Sequence, residues 1–321
     1  MPPLLSRLAP APASVERVTR LRPLSALAAL AAGVVVLLAA CAPAVDPAAT
    51  VRANPEQIDE VDTSDFDPGL IVSDDSFFDS TALDEEQIQD FLEALPCRPD
   101  AGITCLAGYR QTTETQPAAG PGHCAEYRGA VKERASRIIA KTAVACGVSP
   151  KTLLVLLQKE QSLLTRPSEH GYLRATGYAC PDTADCDVKY FGFFNQLYNA
   201  AWQFRQYTQQ PDRQYRIGAV PVSYNPDAAC GVSTVLIRNQ ATANLYNYTP
   251  YQPNEAALAS ADAGGDGCSA WGNLNFWLLW NRWFGDPTSE RYPGFLPPCS
   301  RLVDGQVCPT PGIPTAPPRE D

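Results

Sequence analysis

The clearest hydrophobic pattern in the chain runs from Leu153 to Leu164. Leu153, Leu156, Leu157, Glu160, Leu163 and Leu164 recur at steps of three and four, the period of one helix face. Ser149 is a good N-cap and Pro150 suits a first helical position, so the spacing predicts a helix opening there. Every member of the stripe is Leu except Glu160, and Gln158, Lys159 and Gln161 are expected to point elsewhere. One carboxyl group is therefore aimed at the apolar side near the helix end. Burial disfavours the charged form of such a group, and a carboxyl kept protonated can serve as a general acid. The structural alternative is a helix-end Glu that reaches solvent or pairs with a base.

The remaining elements follow from the same kind of pattern. Asp84 with Gln87 three positions on makes a capping box for a helix over about 84–95. Its stripe is Ile88, Phe91, Leu92 and Leu95, and Leu83 can staple to Ile88. A helix is expected from about Tyr127 to Cys146, with Val131, Ala135, Ile138, Ile139 and Thr142 on one side and Gly147 closing it. Another runs from about Phe194 to Thr208, with Leu197, Ala201, Phe204 and Thr208 on one face. Val220–Tyr224 and Val232–Ile237 read as short strands. Asn254 caps a short helix to about Ala261. Asn275–Phe284 is an aromatic helix whose Phe276, Leu279, Trp280 and Trp283 share a core face, stopped by Gly285 and Asp286-Pro287. Residues 111–123 and 166–190 read as irregular. The class is mainly α with a small β element.

The ends of the chain add a compartment. Arg7, Arg17, Arg20 and Arg22 precede an apolar run from Leu24 to Ala40 that closes on Leu38-Ala39-Ala40-Cys41. This is the layout of a secretory signal, and its last four residues resemble the bacterial lipobox. The expected organisation is a lipoprotein signal peptide over 1–40 and a flexible linker over 41–64. An N-terminal helical segment over 65–110, a main domain over 111–285 and a Pro-rich tail over 286–321 follow. Cys41 is the expected lipid anchor, placing the protein on the outer face of a bacterial cell membrane. The sequence holds eleven Cys. Without Cys41 the set is even: Cys97, Cys105, Cys124, Cys146, Cys180, Cys186, Cys230, Cys268, Cys299 and Cys308. An even set in an exported chain points to disulfides. Pairing of sequence neighbours is expected, most clearly for Cys180–Cys186 and for Cys299–Cys308, which flank the turn pair Asp304-Gly305.

Net charge is −10, and removal of an Arg-rich leader makes the remaining chain more acidic still. With no basic cluster along the sequence, nucleic acid is not an expected partner. His123 and His170 are the only histidines, which leaves little room for Ser-His or Cys-His chemistry. Ala263-Gly264-Gly265-Asp266-Gly267 lacks the flanking strand and helix of a phosphate loop, and no zinc-binding spacing with His is present. No metal or cofactor is expected.

Three stretches resemble a known family in order. Glu160-Gln161-Ser162 ends an apolar helix, Tyr190–Gln196 opens the next long one, and Val222-Ser223-Tyr224-Asn225-Pro226 follows. Soluble lytic transglycosylases and goose-type lysozymes have a helix-end catalytic Glu followed by Ser, a Gly-Leu-Met-Gln turn and a later Ala-Tyr-Asn motif. The resemblance covers about 140–285. Here Gln161 stands between Glu160 and Ser162, and Gly192–Gln196 is one residue longer than the family turn. The chain is also similar to a group of secreted actinobacterial proteins through Leu-Leu-Gln-Lys-Glu-Gln, Ala-Thr-Gly-Tyr and Tyr-Thr-Pro-Tyr-Gln-Pro-Asn.

The resemblance implies a disulfide-stabilised lysozyme-like fold acting on peptidoglycan glycan strands. Glu160 would be the general acid/base of a lytic transglycosylase, and Tyr224 would position it. Ser162, Gln196 and Asn225 would bind substrate. A hydrolytic muramidase or glucosaminidase is the alternative enzyme. It needs a second carboxylate, for which Asp182, Asp185, Asp187 and Glu169 are candidates. Tyr246, Tyr248 and Tyr251 could stack on sugar rings or pack in the core. A non-catalytic wall-binding or adhesion module is the third reading, supported by the separation of Glu160 from Ser162.

Overall fold

The Leu-rich helix forms where its cap places it, over Pro150–Gln161, and the rest of the fold is packed around it. The computed structural model describes residues 61–181, 185–210, 212–259 and 264–290. The leader with Cys41, the linker up to residue 60, Asp182, and the tail with Cys299 and Cys308 lie outside the described residues. Helices α1 to α9 are Asp74–Phe78, Glu85–Ala94, Ala135–Cys146, Pro150–Gln161, Glu169–Leu173, Phe193–Gln209, Gln240–Tyr248, Glu255–Ala259 and Gly272–Phe284. Strands β1 to β4 are Arg110–Gln111, Glu133–Arg134, Gly218–Ser223 and Val232–Ile237. The protein is mainly helical and carries four disulfides among the described residues: Cys97–Cys105, Cys124–Cys146, Cys180–Cys186 and Cys230–Cys268. Each joins neighbours in the Cys series.

Helix α4 is the axis of the core. Leu153, Leu154, Val155, Leu156 and Leu157 are all 0 % exposed, so the helix is buried on every side rather than along one stripe. Helices α1, α3, α6 and α9 pack against it. Its start is tied to α1, since Ser149 N–H donates to Phe77 O at 2.8 Å and Thr152 Oγ1 to the same carbonyl at 3.2 Å. Helix α3 ends at Gly147, whose φ of +61° is open to glycine at little cost, and the chain turns by 120° into α4. Among the described residues no single helix is long and apolar enough to cross a membrane.

The capping box of α2 forms as its sequence dictates. Gln87 N–H donates to Asp84 Oδ1 at 2.8 Å and Asp84 N–H to Gln87 Oε1 at 3.0 Å. Ile88, Phe91 and Leu92 are buried against α3. Helix α9 places Phe276, Trp277 and Trp280 inside, and Phe66, Phe91 and Phe284 extend this aromatic cluster. Asn254 Oδ1 accepts from Ala257 N–H at the start of α8, which ends at Ala259.

Helix α3 begins eight residues later than the periodicity predicts, at Ala135 rather than Tyr127. The intervening chain is held by pairing instead: Gln116 bridges Tyr127, and β1 pairs antiparallel with β2. Gly129 lies so close to this partner that a Cβ there would stand 2.4 Å from Thr113 O. Val131, expected on the buried helix face, is 76 % exposed. Within 166–190, read as irregular, α5 forms under the N-cap Ser168. Helices α1 and α7 also lie where no helix was expected. The two predicted strands form one hairpin, with Val220, Val222, Val235 and Ile237 turned inward.

Candidate functional site

Glu160 lies in the last turn of α4, where the helix emerges from the core. Its side chain is 24 % exposed, and Oε1 stands 2.6 Å from Lys159 Nζ. Lys159 does not point away, as the stripe implied: its side chain is 5 % exposed and Nζ also donates to Thr249 Oγ1 at 2.9 Å. The isolated carboxyl is therefore one half of an ion pair. The reason is the wall on the far side of Lys159. At Gly272 a Cβ would stand 2.4 Å from Thr249 Cγ2 and 3.7 Å from Lys159 Nζ, so the start of α9 packs where a solvent face was expected.

The other carboxyl oxygen faces a different segment. A Cβ placed on Gly177, whose φ is +68°, would stand 3.6 Å from Glu160 Oε2. Gly177 belongs to the Ala175–Tyr178 stretch, and Gln196 holds that stretch in place. Gln196 Oε1 accepts from Thr176 N–H at 3.3 Å and Tyr178 N–H at 3.0 Å. Its Nε2 donates to Tyr178 O and Tyr190 O, both at 3.0 Å. Tyr248 adds a third tie, donating its hydroxyl to Thr176 O at 2.8 Å while its ring packs on Phe204. Burial first, then the charge of Glu160, pushes the Tyr248 phenol well above its ordinary range. Burial and then Tyr190 push Tyr178 up to about 12. Near neutral pH both phenols are neutral O–H groups, fit to donate and not to act as bases.

The expected site residues therefore separate. Gln196 is 0 % exposed and spends its amide inside the protein, so it shapes the segment opposite Glu160 instead of lining a sugar groove. Ser162 is the C-cap of α4 at φ 51° and ψ 29°, exposed, with its N–H bonded back to Gln158 O at 2.8 Å. Asn225 closes its own turn, Oδ1 accepting from Asp227 N–H at 3.0 Å. Tyr224 continues the hairpin, its N–H donating to Gly231 O at 3.2 Å. That hairpin reaches the Glu160 region indirectly: Ser223 bridges Tyr251, Gln252 N–H donates to Ser223 O, and Thr249 in the same stretch holds Lys159. The tyrosine that feels the Glu160 charge is Tyr248. Tyr246 is wholly buried, its hydroxyl on Pro68 O, and cannot stack on a ligand.

Among the candidate second carboxylates, Asp187 pairs with Lys189 at 2.8 Å, while Glu169 and Asp185 are exposed. The Cys180–Cys186 loop does adjoin the Gly177 segment, through Asp187 N–H on Ala179 O at 3.0 Å and Cys180 N–H on Gly177 O at 3.2 Å. His123 is buried beside Trp202, and burial followed by Arg205 holds its imidazole below the ordinary range. Among the described residues no His, Cys, Asp and Glu side chains converge as a set able to hold a metal ion. A cavity of about 730 Å³ lies beside α3, lined in part by Leu83, Tyr127, Ala140, Lys141, Val144 and Ala145, and includes none of the predicted site residues.

Comparison with known proteins adds no identity: no protein-family model, curated protein or solved structure matches the chain. Lys159, Thr249, Thr176, Gly177 and Tyr248 surround Glu160 without having been expected there in these roles. All five stand in the three phrases Leu-Leu-Gln-Lys-Glu-Gln, Ala-Thr-Gly-Tyr and Tyr-Thr-Pro-Tyr-Gln-Pro-Asn, which mark the stretches that meet here without assigning a role to any of these residues.

Proposed function

We propose that this protein is a cell-wall glycosidase, a lytic transglycosylase that cleaves the MurNAc–GlcNAc linkage of peptidoglycan with Glu160 as its one general acid/base. The supporting observation is the setting of Glu160. It is a partly exposed carboxyl at the end of a helix whose middle is wholly buried, with one oxygen held by Lys159 and the other facing Gly177. In this reading the carboxyl, in its protonated state, donates to the glycosidic oxygen as the bond breaks. The resulting carboxylate then takes the proton of the muramyl C6 hydroxyl as a 1,6-anhydro ring closes, and the acid is regenerated. A lipid anchor at Cys41 would hold the domain beside its polymer.

The ion pair with Lys159 favours a second reading, a wall-binding module without activity, because one of the two oxygens that could carry a general acid's proton is already held by an ammonium. Wild type and Glu160→Gln, incubated with purified cell wall, separate the two. Release of muropeptides with anhydro ends by the wild type, lost in Glu160→Gln, is the expected result. Reducing ends in place of anhydro ends would assign hydrolysis instead. Equal wall binding by both proteins with release by neither would overturn the enzyme reading.

A further inference from the structure

Lys132, Arg134 and Arg137 lie within six residues of one another, and the fold brings Arg110 to them. Strand β1 pairs with β2 so that Arg110 stands directly opposite Arg134. Lys132 lies just before β2 at φ 52°, and Arg137 follows in the first turn of α3. Together with Glu85 and Glu133 these four cations line a cavity of about 360 Å³. This is within the roughly 300–1,000 Å³ range of small-ligand sites.

The two carboxylates do not neutralise the cluster. Glu133 is buried and already occupied. Lys141 Nζ lies 2.5 Å and Arg137 Nε 3.3 Å from its Oε1, and the hydroxyls of Thr113 and Tyr127 donate to Oε2. Burial alone would push the Glu133 carboxyl up, but the bonds from Lys141, Thr113 and Tyr127 outweigh it and hold it below its ordinary value. That leaves Glu85, on the exposed first turn of α2. Among the described residues, Arg110, Lys132 and Arg134 form no ion pair; Arg110 Nη1 donates only to Lys132 O, at 3.3 Å.

Such an arrangement is unfavourable by itself. Like charges directly opposite on paired strands repel, and a lysine at positive φ carries backbone strain. On a chain of net charge −10 there is no shortage of carboxylates that could have been placed here. An anion in the cavity offsets the repulsion. The start of α3 adds to the same field: its N-cap is Arg134, which makes no side-chain capping bond, and no acidic residue occupies its first turn.

We propose that this pocket binds the phosphate group of a small organic phosphate. Three unpaired cations match a phosphate dianion better than a single carboxylate, and guanidinium groups present paired donors to its oxygens. The cavity is also larger than one phosphate group needs, so the ligand carries an organic part. The site is separate from Glu160 and does not depend on the enzyme reading.

Calorimetric titration of the folded protein with glycerol 3-phosphate tests this, with inorganic phosphate, acetate and glycerol as comparison probes. Saturable binding of glycerol 3-phosphate, weaker for inorganic phosphate and absent for acetate and glycerol, is expected. Arg110→Gln and Arg134→Gln should each weaken it about tenfold, the scale of one charge-assisted hydrogen bond. Arg128→Gln removes an exposed cation outside the pocket, paired with Glu126, and should leave binding unchanged. Both pocket arginines are exposed, so the variants should fold, which circular dichroism checks. No saturation by roughly 10 mM glycerol 3-phosphate would overturn the proposal. So would equal binding of acetate, or a loss in Arg128→Gln as large as in the pocket variants. Binding to phosphatidylglycerol vesicles without binding of glycerol 3-phosphate would reassign the cluster to a membrane surface and also overturn it.

Discussion

Replacing Gln196 with Met should loosen the segment opposite Glu160 while leaving the core packing nearly intact. The two side chains are similar in length, and Met fills irregular space well. What is lost is hydrogen bonding. Gln196 accepts from Thr176 and Tyr178 N–H and donates to Tyr178 and Tyr190 carbonyls, at 3.0 to 3.3 Å. The Thr176 hydroxyl also reaches Gln196 Oε1, at 3.4 Å, but keeps the residue's backbone carbonyl as acceptor, so four bonds at a net value of about 0.5–1.5 kcal/mol each set an upper scale of about 6 kcal/mol. The true cost should be smaller, because the freed backbone groups need not stay buried: the segment can open and meet water, which caps the loss at the free energy of that local opening. A destabilisation of about 2–4 kcal/mol is therefore expected.

Urea unfolding gives the magnitude. With a slope on the order of 1–3 kcal/mol/M, a loss of 3 kcal/mol moves the midpoint down by about 1–3 M. Amide exchange gives the location, since the N–H groups of Thr176 and Tyr178 should lose protection while those in the middle of α4 keep theirs. A loss under about 1 kcal/mol with both amides still protected would refute the reasoning. It would mean that the ties the substitution leaves in place, from the Tyr248 hydroxyl to Thr176 O and from the Thr176 hydroxyl to the backbone carbonyl of residue 196, hold the segment.

Two further outcomes follow from buried charge. Lys159→Met leaves Glu160 Oε1 and the Thr249 hydroxyl without their shared donor. It should cost about 1–3 kcal/mol in urea unfolding near neutral pH, and a cost near zero would show that water replaces the ammonium. Asp74, at the start of α1, accepts from Ala241 N–H at 2.6 Å and has its carboxyl pushed up to about 7, chiefly by burial against the opposing effect of the Ala241 and Gln240 N–H groups. A carboxyl raised in the folded state binds its proton more tightly there. Its stabilisation is therefore complete below the unfolded value near 3.8 and is lost as pH rises through about 7. Wild type should be less stable at pH 8 than at pH 5, by up to roughly 3 kcal/mol from this group, the two pH units between 5 and about 7 at about 1.4 kcal/mol each. Asp74→Asn keeps the acceptor and should flatten that slope, and an unchanged slope in thermal or urea unfolding would sink the assignment.

The elements legible in the sequence are those fixed by local chemistry. The capping box at Asp84 and Gln87, the Ser149-Pro150 start of α4 and the Gly147 and Gly285 stops all act within one turn of where they stand. The misread start of α3 was decided from a distance, by strand partners about twenty residues earlier. Helix α7 was invisible for another reason. Its buried face carries Gln240, Thr242 and Asn244, whose side chains are satisfied within the core: Gln240 bonds Asn244, and Asn244 bonds Phe204 O and Thr208. Hydropathy cannot register a face whose polar groups find partners inside.

The candidate site shows the same division. A stripe interrupted by one carboxyl drew attention to Glu160, because an odd residue on an apolar face is a local signal. What surrounds that carboxyl is set by non-local bonds from Gln196, Tyr248 and Thr249, two of which end on backbone groups that no side-chain pattern encodes. Gln196 was singled out as a residue that touches sugar, yet it lies wholly inside. If activity falls in Gln196→Met, the loss by itself cannot distinguish a lost sugar contact from a displaced Gly177. The two accounts differ in what else must change. A contact residue would alter substrate affinity in a protein of unchanged stability and amide protection. A clamp would alter stability and exchange at Thr176 and Tyr178 even with no substrate present, and the burial of Gln196 favours the clamp.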